Sequence, residues 1–154
     1  IPQIYYGSEI GMRGDKNKGG DADIRKDFPG GWKGDSQNAF DPKTQTAEQK
    51  GFHDFTQKLF NWRKGKMVIH SGKTKHYMPK EKVYVYFRFN EKENVMVIIN
   101  NNEKDQTFDL GRFSESIQGI TKGKDVISGK EFSISSENKM TIYGKSSLIL
   151  ELQK

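Results

Sequence analysis

The sequence predicts a mainly β protein, with an antiparallel β-sandwich over residues 67–154 preceded by one long helix. Three observations carry this. From residue 82 onward, short apolar or alternating runs follow one another with no helix-period segment between them. Before them stands a single stripe of apolar residues at helical spacing, Phe52, Phe55, Leu59 and Trp62. Between the two, near residue 66, the composition shifts, which places a domain boundary there and divides the chain into residues 1–66 and 67–154.

Taken in order, residues 1–6 are apolar and β-prone, as a buried parallel strand is. A long polar segment punctuated by glycines then runs to about residue 43, with Gly7 and Gly11 placed to turn the backbone sharply at the strand end. Loops of that length inside a domain are usually functional or disordered. This one carries Phe28, Trp32 and Phe40, which argues against disorder. Thr46 and Gln49 fit a capping box that opens a helix over residues 46–64, with Arg63 and Lys64 at its negative end and Gly65 as its stop.

The second half reads as strands. Residues 82–89 and 95–100 flank a polar five-residue turn and form a hairpin. Further strands are expected at residues 107–110, 124–127, 131–134, 140–142 and 147–152, with Ser128-Gly129 as a tight turn.

Composition excludes several function classes. The 154 residues carry 26 Lys and Arg against 20 Asp and Glu, a net charge of +6. Residues 1–66 hold 12 basic and 9 acidic groups and the remainder 14 and 11, so each part is +3 and no basic stripe marks a nucleic-acid partner. With no cysteine there is no disulfide and no thiolate metal site. No apolar run approaches the ~18 residues of a membrane helix, so no membrane partner is expected. His53, His70 and His76 show no ligand spacing.

The specific signal lies in the motifs. The opening Pro2-Gln-Ile-Tyr-Tyr-Gly-Ser-Glu9 resembles the last barrel strand of the α-amylase superfamily of glycoside hydrolases. Gly20-Asp-Ala-Asp-Ile-Arg25 and Asp27-Phe-Pro-Gly-Gly-Trp32 look like the loop after the eighth strand in cyclomaltodextrinases, neopullulanases and periplasmic α-amylases. Leu59-Phe-Asn-Trp-Arg-Lys64 is similar to the end of the eighth barrel helix, and the later strands repeat the cadence of the sandwich that follows the barrel.

The resemblance implies that the chain is the C-terminal part of a larger α-glucan-hydrolysing enzyme: the last strand, loop and helix of a (β/α)8 barrel, then the sandwich. Such an enzyme cleaves α-1,4-glucosidic bonds, and in some members α-1,6 bonds or cyclic dextrins, by a retaining double displacement. Its partners are an α-glucan or maltooligosaccharide and the remainder of the barrel. Retaining hydrolysis needs two carboxyl groups ~5–5.5 Å apart. In the family these, and a third stabilising Asp, sit on strands four, five and seven, which precede the region matched here. No catalytic residue is therefore assigned, and the chain alone is expected to be inactive. By the same resemblance Asp21 and Arg25, four residues apart, contact a glucose unit on the non-reducing side of the cleavage point. Their carboxylate and guanidinium offer directional acceptors and donors for hydroxyls, or brace the loop as an ion pair. Asp23 competes for the acidic role, and Trp32 or Phe28 offers a face for a sugar ring.

No cofactor is assigned. The run from Asp15 to Asp23 superficially mimics a calcium loop, but Gly19 and Lys26 occupy its fifth and twelfth positions, so calcium is at most weakly suggested. A competing reading of the sandwich is a non-catalytic carbohydrate-binding module, which requires coplanar aromatics on one exposed face. Compartment is not encoded in these residues; relatives with the Asp27–Trp32 loop are often periplasmic or secreted, an analogy only.

Overall fold

The computed structural model describes residues 3–154. They divide into two compact units, the first running to Asn61 and the second from Trp62 to Lys154.

In the first unit, a 3-10 turn at Ser8–Ile10 is bracketed by Gly7 and Gly11, both with positive φ (85° and 62°). Gly11 also lies against the Phe52 ring, where an added β-carbon would sit 2.5 Å from the ring, so only glycine fits. Ile1 and Pro2 of the expected opening strand lie outside the described residues, and residues 3–5 carry no strand pairing. The segment that the sequence presents as unbroken loop contains a short helix, α1 (Lys16–Ile24), interrupted at Gly20 (φ 64°, ψ −154°). The Asp15 side chain caps it by accepting from the Asn17 N–H. Its two glycines and lack of apolar periodicity hide it from sequence reasoning, and none of its residues is buried. Helix α2 (Ala47–Lys64) follows. Its capping box is formed: the Thr46 N–H donates to Gln49 Oε1 at 2.9 Å and the Gln49 N–H to Thr46 Oγ1 at 3.2 Å.

The second unit opens on the last turn of α2 and a short helix, α3 (Met67–His70). Eight strands follow: β1 (Lys73–His76), β2 (Val83–Phe89), β3 (Asn94–Asn100), β4 (Gln106–Asp109), β5 (Lys122–Asp125), β6 (Glu131–Ser133), β7 (Lys139–Ile142) and β8 (Ser146–Gln153). Six form one antiparallel sheet in the order β1-β2-β3-β8-β5-β6, and β4 and β7 pair separately. The fold is mainly β, as the strand pattern requires.

Register places alternate residues on opposite faces. Val83, Val85 and Phe87 of β2, Met96 and Ile98 of β3, and Leu150 of β8 enter one core. Met140 and Ile142 of β7 close it, together with Leu110 and Phe113 from a 3-10 segment, Leu110–Ser116. Tyr77, Phe87 and Phe108 gather around Phe113 at centroid distances of 4.8, 6.1 and 6.1 Å. The opposite face of β3 is also covered, because Val95 and Val97 pack with Val68, Trp62, Tyr86 and Ile149.

Two strands depart from expectation. The edge strand β1 reads Lys-Thr-Lys-His, a charged pattern typical of edges but without apolar alternation to reveal it. Strand β5 is Lys122–Asp125, not residues 124–127. Gly123 faces Leu152, Ile134 and Leu150 too closely for a side chain to fit easily. Asp125 is buried because it accepts from the Ser128 N–H and hydroxyl and from the Ile149 N–H. The predicted turn stands, with Gly129 at φ 75°. No helix among the described residues is long and apolar enough to cross a membrane.

Candidate functional site

Asp21, in the last turn of α1, and Arg25, the residue that caps its C-terminus, are four apart and meet, Arg25 Nη2 lying 3.7 Å from Asp21 Oδ2. Lys16 Nζ approaches the same carboxylate at 3.3 Å. All three side chains are more than half exposed, so the pair is open to water and able to exchange partners for hydroxyls.

Asp23 is committed elsewhere. It accepts from the Asp15 N–H and pairs with Lys26 at 3.3 Å. The Asp15 hydrogen bond, followed by that from Lys26, holds its carboxyl below the ordinary carboxylate range. The competition between the two acids therefore separates: Asp23 closes the loop on itself, and Asp21 stands outward.

Trp32 is built onto a different turn. The Gly31 N–H donates to the Phe28 carbonyl at 3.1 Å. Asp35 Oδ2 accepts from the N–H groups of Gly30 and Trp32 at 2.8 and 3.1 Å. That scaffold fixes the backbone and leaves the indole 68% exposed. Phe28 instead stacks obliquely on Phe40, with centroids 5.6 Å apart. Asp21 and Arg25 are thus brought together, and Trp32 stands on a separate turn.

The calcium-like run is occupied by its own structure. Asp15 caps α1, Asp21 pairs with Lys16 and Arg25, and Asp23 pairs with Lys26. Among the described residues no three His, Asp or Glu side chains are arranged to hold a metal ion.

On the sandwich, Tyr84 and Tyr86 are half-buried and their rings are inclined by 32°, so they do not form a flat exposed platform. The sequence gives no hint of a recess of about 260 Å³ between β2 and β4, lined by Val83, Val85, Phe108 and Phe113 and rimmed by polar side chains.

The second unit thus combines a six-stranded antiparallel sheet with a separate two-stranded one. Residues 74–151 match the family described as the cyclo-malto-dextrinase C-terminal domain, and the chain belongs to that family.

Solved structures share the fold. The α-amylase of Geobacillus thermoleovorans, solved with acarbose, is 17% identical with a TM-score of 0.67; the match covers 97% of this chain and 29% of that one. A variant of AmyP in complex with maltotriose is 16% identical with a TM-score of 0.63, covering 73% and 23%. The trehalose-6-phosphate hydrolase of Bacillus licheniformis is 24% identical with a TM-score of 0.53, covering 74% and 19%. The chain spans less than a third of the length of each.

Proposed function

We propose that this chain is the C-terminal part of an α-glucan-hydrolysing glycosidase, acting by retention on α-1,4-glucosidic bonds, with α-1,6 bonds and cyclic dextrins as further substrates. The observation that carries the reading is the family match over residues 74–151. The match to the Geobacillus thermoleovorans enzyme supports extending it into the first unit, since 97% of the chain is covered. In this reading residues 1–66 complete a barrel, and residues 67–154 are the sandwich that follows it in the chain. The nucleophile and general acid come from elsewhere in the enzyme, and the chain alone hydrolyses nothing.

Asp21, Arg25 and Trp32 are the residues through which this segment touches substrate. The open Asp21–Arg25 pair supplies an acceptor and a planar donor to the hydroxyls of one glucose unit, and the exposed Trp32 indole offers an apolar face to another. The test uses the longer enzyme and this chain side by side on maltooligosaccharides, amylose and pullulan. The enzyme should be active and the chain inert. Asp21→Ala or Arg25→Ala in the enzyme should lower kcat/KM by about 10- to 100-fold, the cost of a lost hydrogen bond to a charged group. Hydrolysis by the purified chain would refute the assignment, and unchanged kinetics in both variants would remove Asp21 and Arg25 from the site.

A further inference from the structure

The recess on the sandwich combines three features that point to a ligand. Its floor is apolar: Val83 and Val85 of β2 lie under the edge of the narrow β4–β7 sheet, flanked by Phe108. Its rim is polar and formally neutral, with Lys80 and Arg112 balanced by Glu81 and Asp109, and with the Gln106 amide beside them. Among the described residues the side chains of Lys80, Glu81 and Gln106 have no hydrogen-bond or ion-pair partner, so donors and acceptors stand free around an apolar floor.

The third feature is the lip. Glu81 and Lys82 are the two central residues of a hairpin in which Lys80 and Val83 exchange both backbone hydrogen bonds, at 2.9 and 3.1 Å. Both have positive φ, 51° and 59°, in a turn type that strongly prefers Asn-Gly. Strain of this kind persists only where surroundings enforce it, and it clusters at binding sites. Here the enforcement is visible. Asn102 Nδ2 donates to the Glu81 carbonyl at 2.7 Å and the Asn101 N–H to the Lys82 carbonyl at 3.1 Å. Behind them the buried Asn100 accepts from Asn102 Nδ2 at 2.8 Å.

We infer that this recess is a second carbohydrate site, which takes a single ring of a short α-glucan. A neutral rim that mixes donors and acceptors suits hydroxyls, each of which can do both, and selects against a charged ligand. An apolar floor suits the C–H face of a pyranose. At about 260 Å³ the space lies below the ~300–1,000 Å³ of larger ligand sites and admits one ring, not a chain lying along the sheet. The choice of an α-glucan rests on the function proposed above.

The test is a titration of the 15N-labelled 154-residue chain with maltotriose, with glucuronate as the charged control. Saturable amide shifts confined to residues 80–85 and 106–113 are expected with maltotriose and not with glucuronate. Gln106→Ala should weaken that binding about fivefold or more without lowering the melting temperature, because the Gln106 side chain has no partner among the described residues and the β4–β7 pairing uses its backbone alone. Absence of saturable shifts, shifts only around Asp21, Arg25 and Trp32, or an equal response to glucuronate would each overturn the assignment. Activity of the longer enzyme on maltooligosaccharides separates the two readings. An active enzyme with no shifts at the recess removes this site and leaves the glycosidase assignment. An inactive enzyme with the shifts present does the reverse.

Discussion

Glu81 and Lys82 hold a backbone conformation that a β-carbon penalises by roughly 1–2 kcal/mol per residue and glycine adopts freely. Lys82→Gly should remove that penalty and lose part of the gain to the greater chain entropy of an unfolded glycine. The expected result is a net stabilisation of about 0.5–1 kcal/mol and a melting temperature higher by about 2 °C. A lower melting temperature would mean that the lysine side chain makes contacts outweighing the strain. Asn100 belongs to the same account. Its amide donates to the carbonyls of Lys104 and Tyr143 at 3.1 and 2.9 Å, and its oxygen accepts from Asn102, so one buried side chain holds two loops in place. Neither the turn nor the hub is legible in sequence. Glu-Lys is not a hairpin signature, and Asn100 to Asn102 read as the polar end of a strand. Asp21 and Arg25 are legible only as a spacing. Their meeting depends on α1, which the kink at Gly20 and the absence of apolar periodicity conceal.

At the scale of elements, strands with an apolar face are readable because burial and period two coincide. Thus β2, β3, β7 and β8 appear near their expected places. The strands that escape are those where something other than hydrophobicity places them: β1 at a charged edge, and β5 around Gly123 and the hydrogen-bonded Asp125. The junction within the second unit, where residues 62–70 meet the sandwich, is a third such case, held by charge. Lys66 pairs with Glu151, Trp62 Nε1 donates to the same carboxylate at 2.8 Å, and Glu93 lies 3.6 Å from Lys66. Arg88 donates to the carbonyls of Val68 and Ile69, which anchors α3 to β2. Burial alone would raise the Glu151 carboxyl, but the hydrogen bonds from Lys66 and Trp62 outweigh it and hold it below its ordinary range. The bond to Glu151 holds Lys66 above its own, against a smaller opposing effect of burial. A depressed carboxyl adds stability above its unfolded value and loses it as pH falls through the folded one; a raised lysine adds stability below its unfolded value and loses it at alkaline pH. The junction is therefore firmest from about pH 5 to about pH 10. Lys66→Met should cost about 1–2 kcal/mol near neutrality, less than a fully buried pair, because Lys66 and Glu151 remain 29% and 31% exposed. In urea unfolding the gap between wild type and variant should shrink as the pH falls through the depressed Glu151 value. A gap that does not change with pH would assign the loss to packing instead.

For the whole molecule, the two units differ sharply in how much apolar surface they bury. Among the described residues 18 hydrophobic side chains are buried; of these, Ile10 and Ala39 alone precede Trp62, which leaves 16 in the second unit. The first unit exposes Ile4, Tyr5, Tyr6, Phe52, Phe55 and Phe60, among others. Its order rests on local devices: the α2 capping box, the glycine turns and the Asp15–Asp23 closure. Such devices each contribute on the order of 1 kcal/mol, whereas a buried Leu, Ile or Phe contributes roughly 1.5–3. Cooperative stability should therefore belong to the sandwich. Trp62 and Val68, which pack against Val95 and Val97, should unfold with it. Deleting residues 1–45 retains all of that packing, and the truncated chain should unfold in a single transition with a melting temperature within a few degrees of the intact chain, given about 2–4 °C per kcal/mol for domains of this size. Native-state hydrogen exchange provides the independent check. Amides of β2, β3 and β8 should exchange with the global unfolding free energy, and those of residues 3–45 far faster. Slow exchange throughout the first unit, or collapse of the sandwich on truncation, would show that residues 1–45 hold the fold together and that exposed apolar surface is a poor guide to where stability lies.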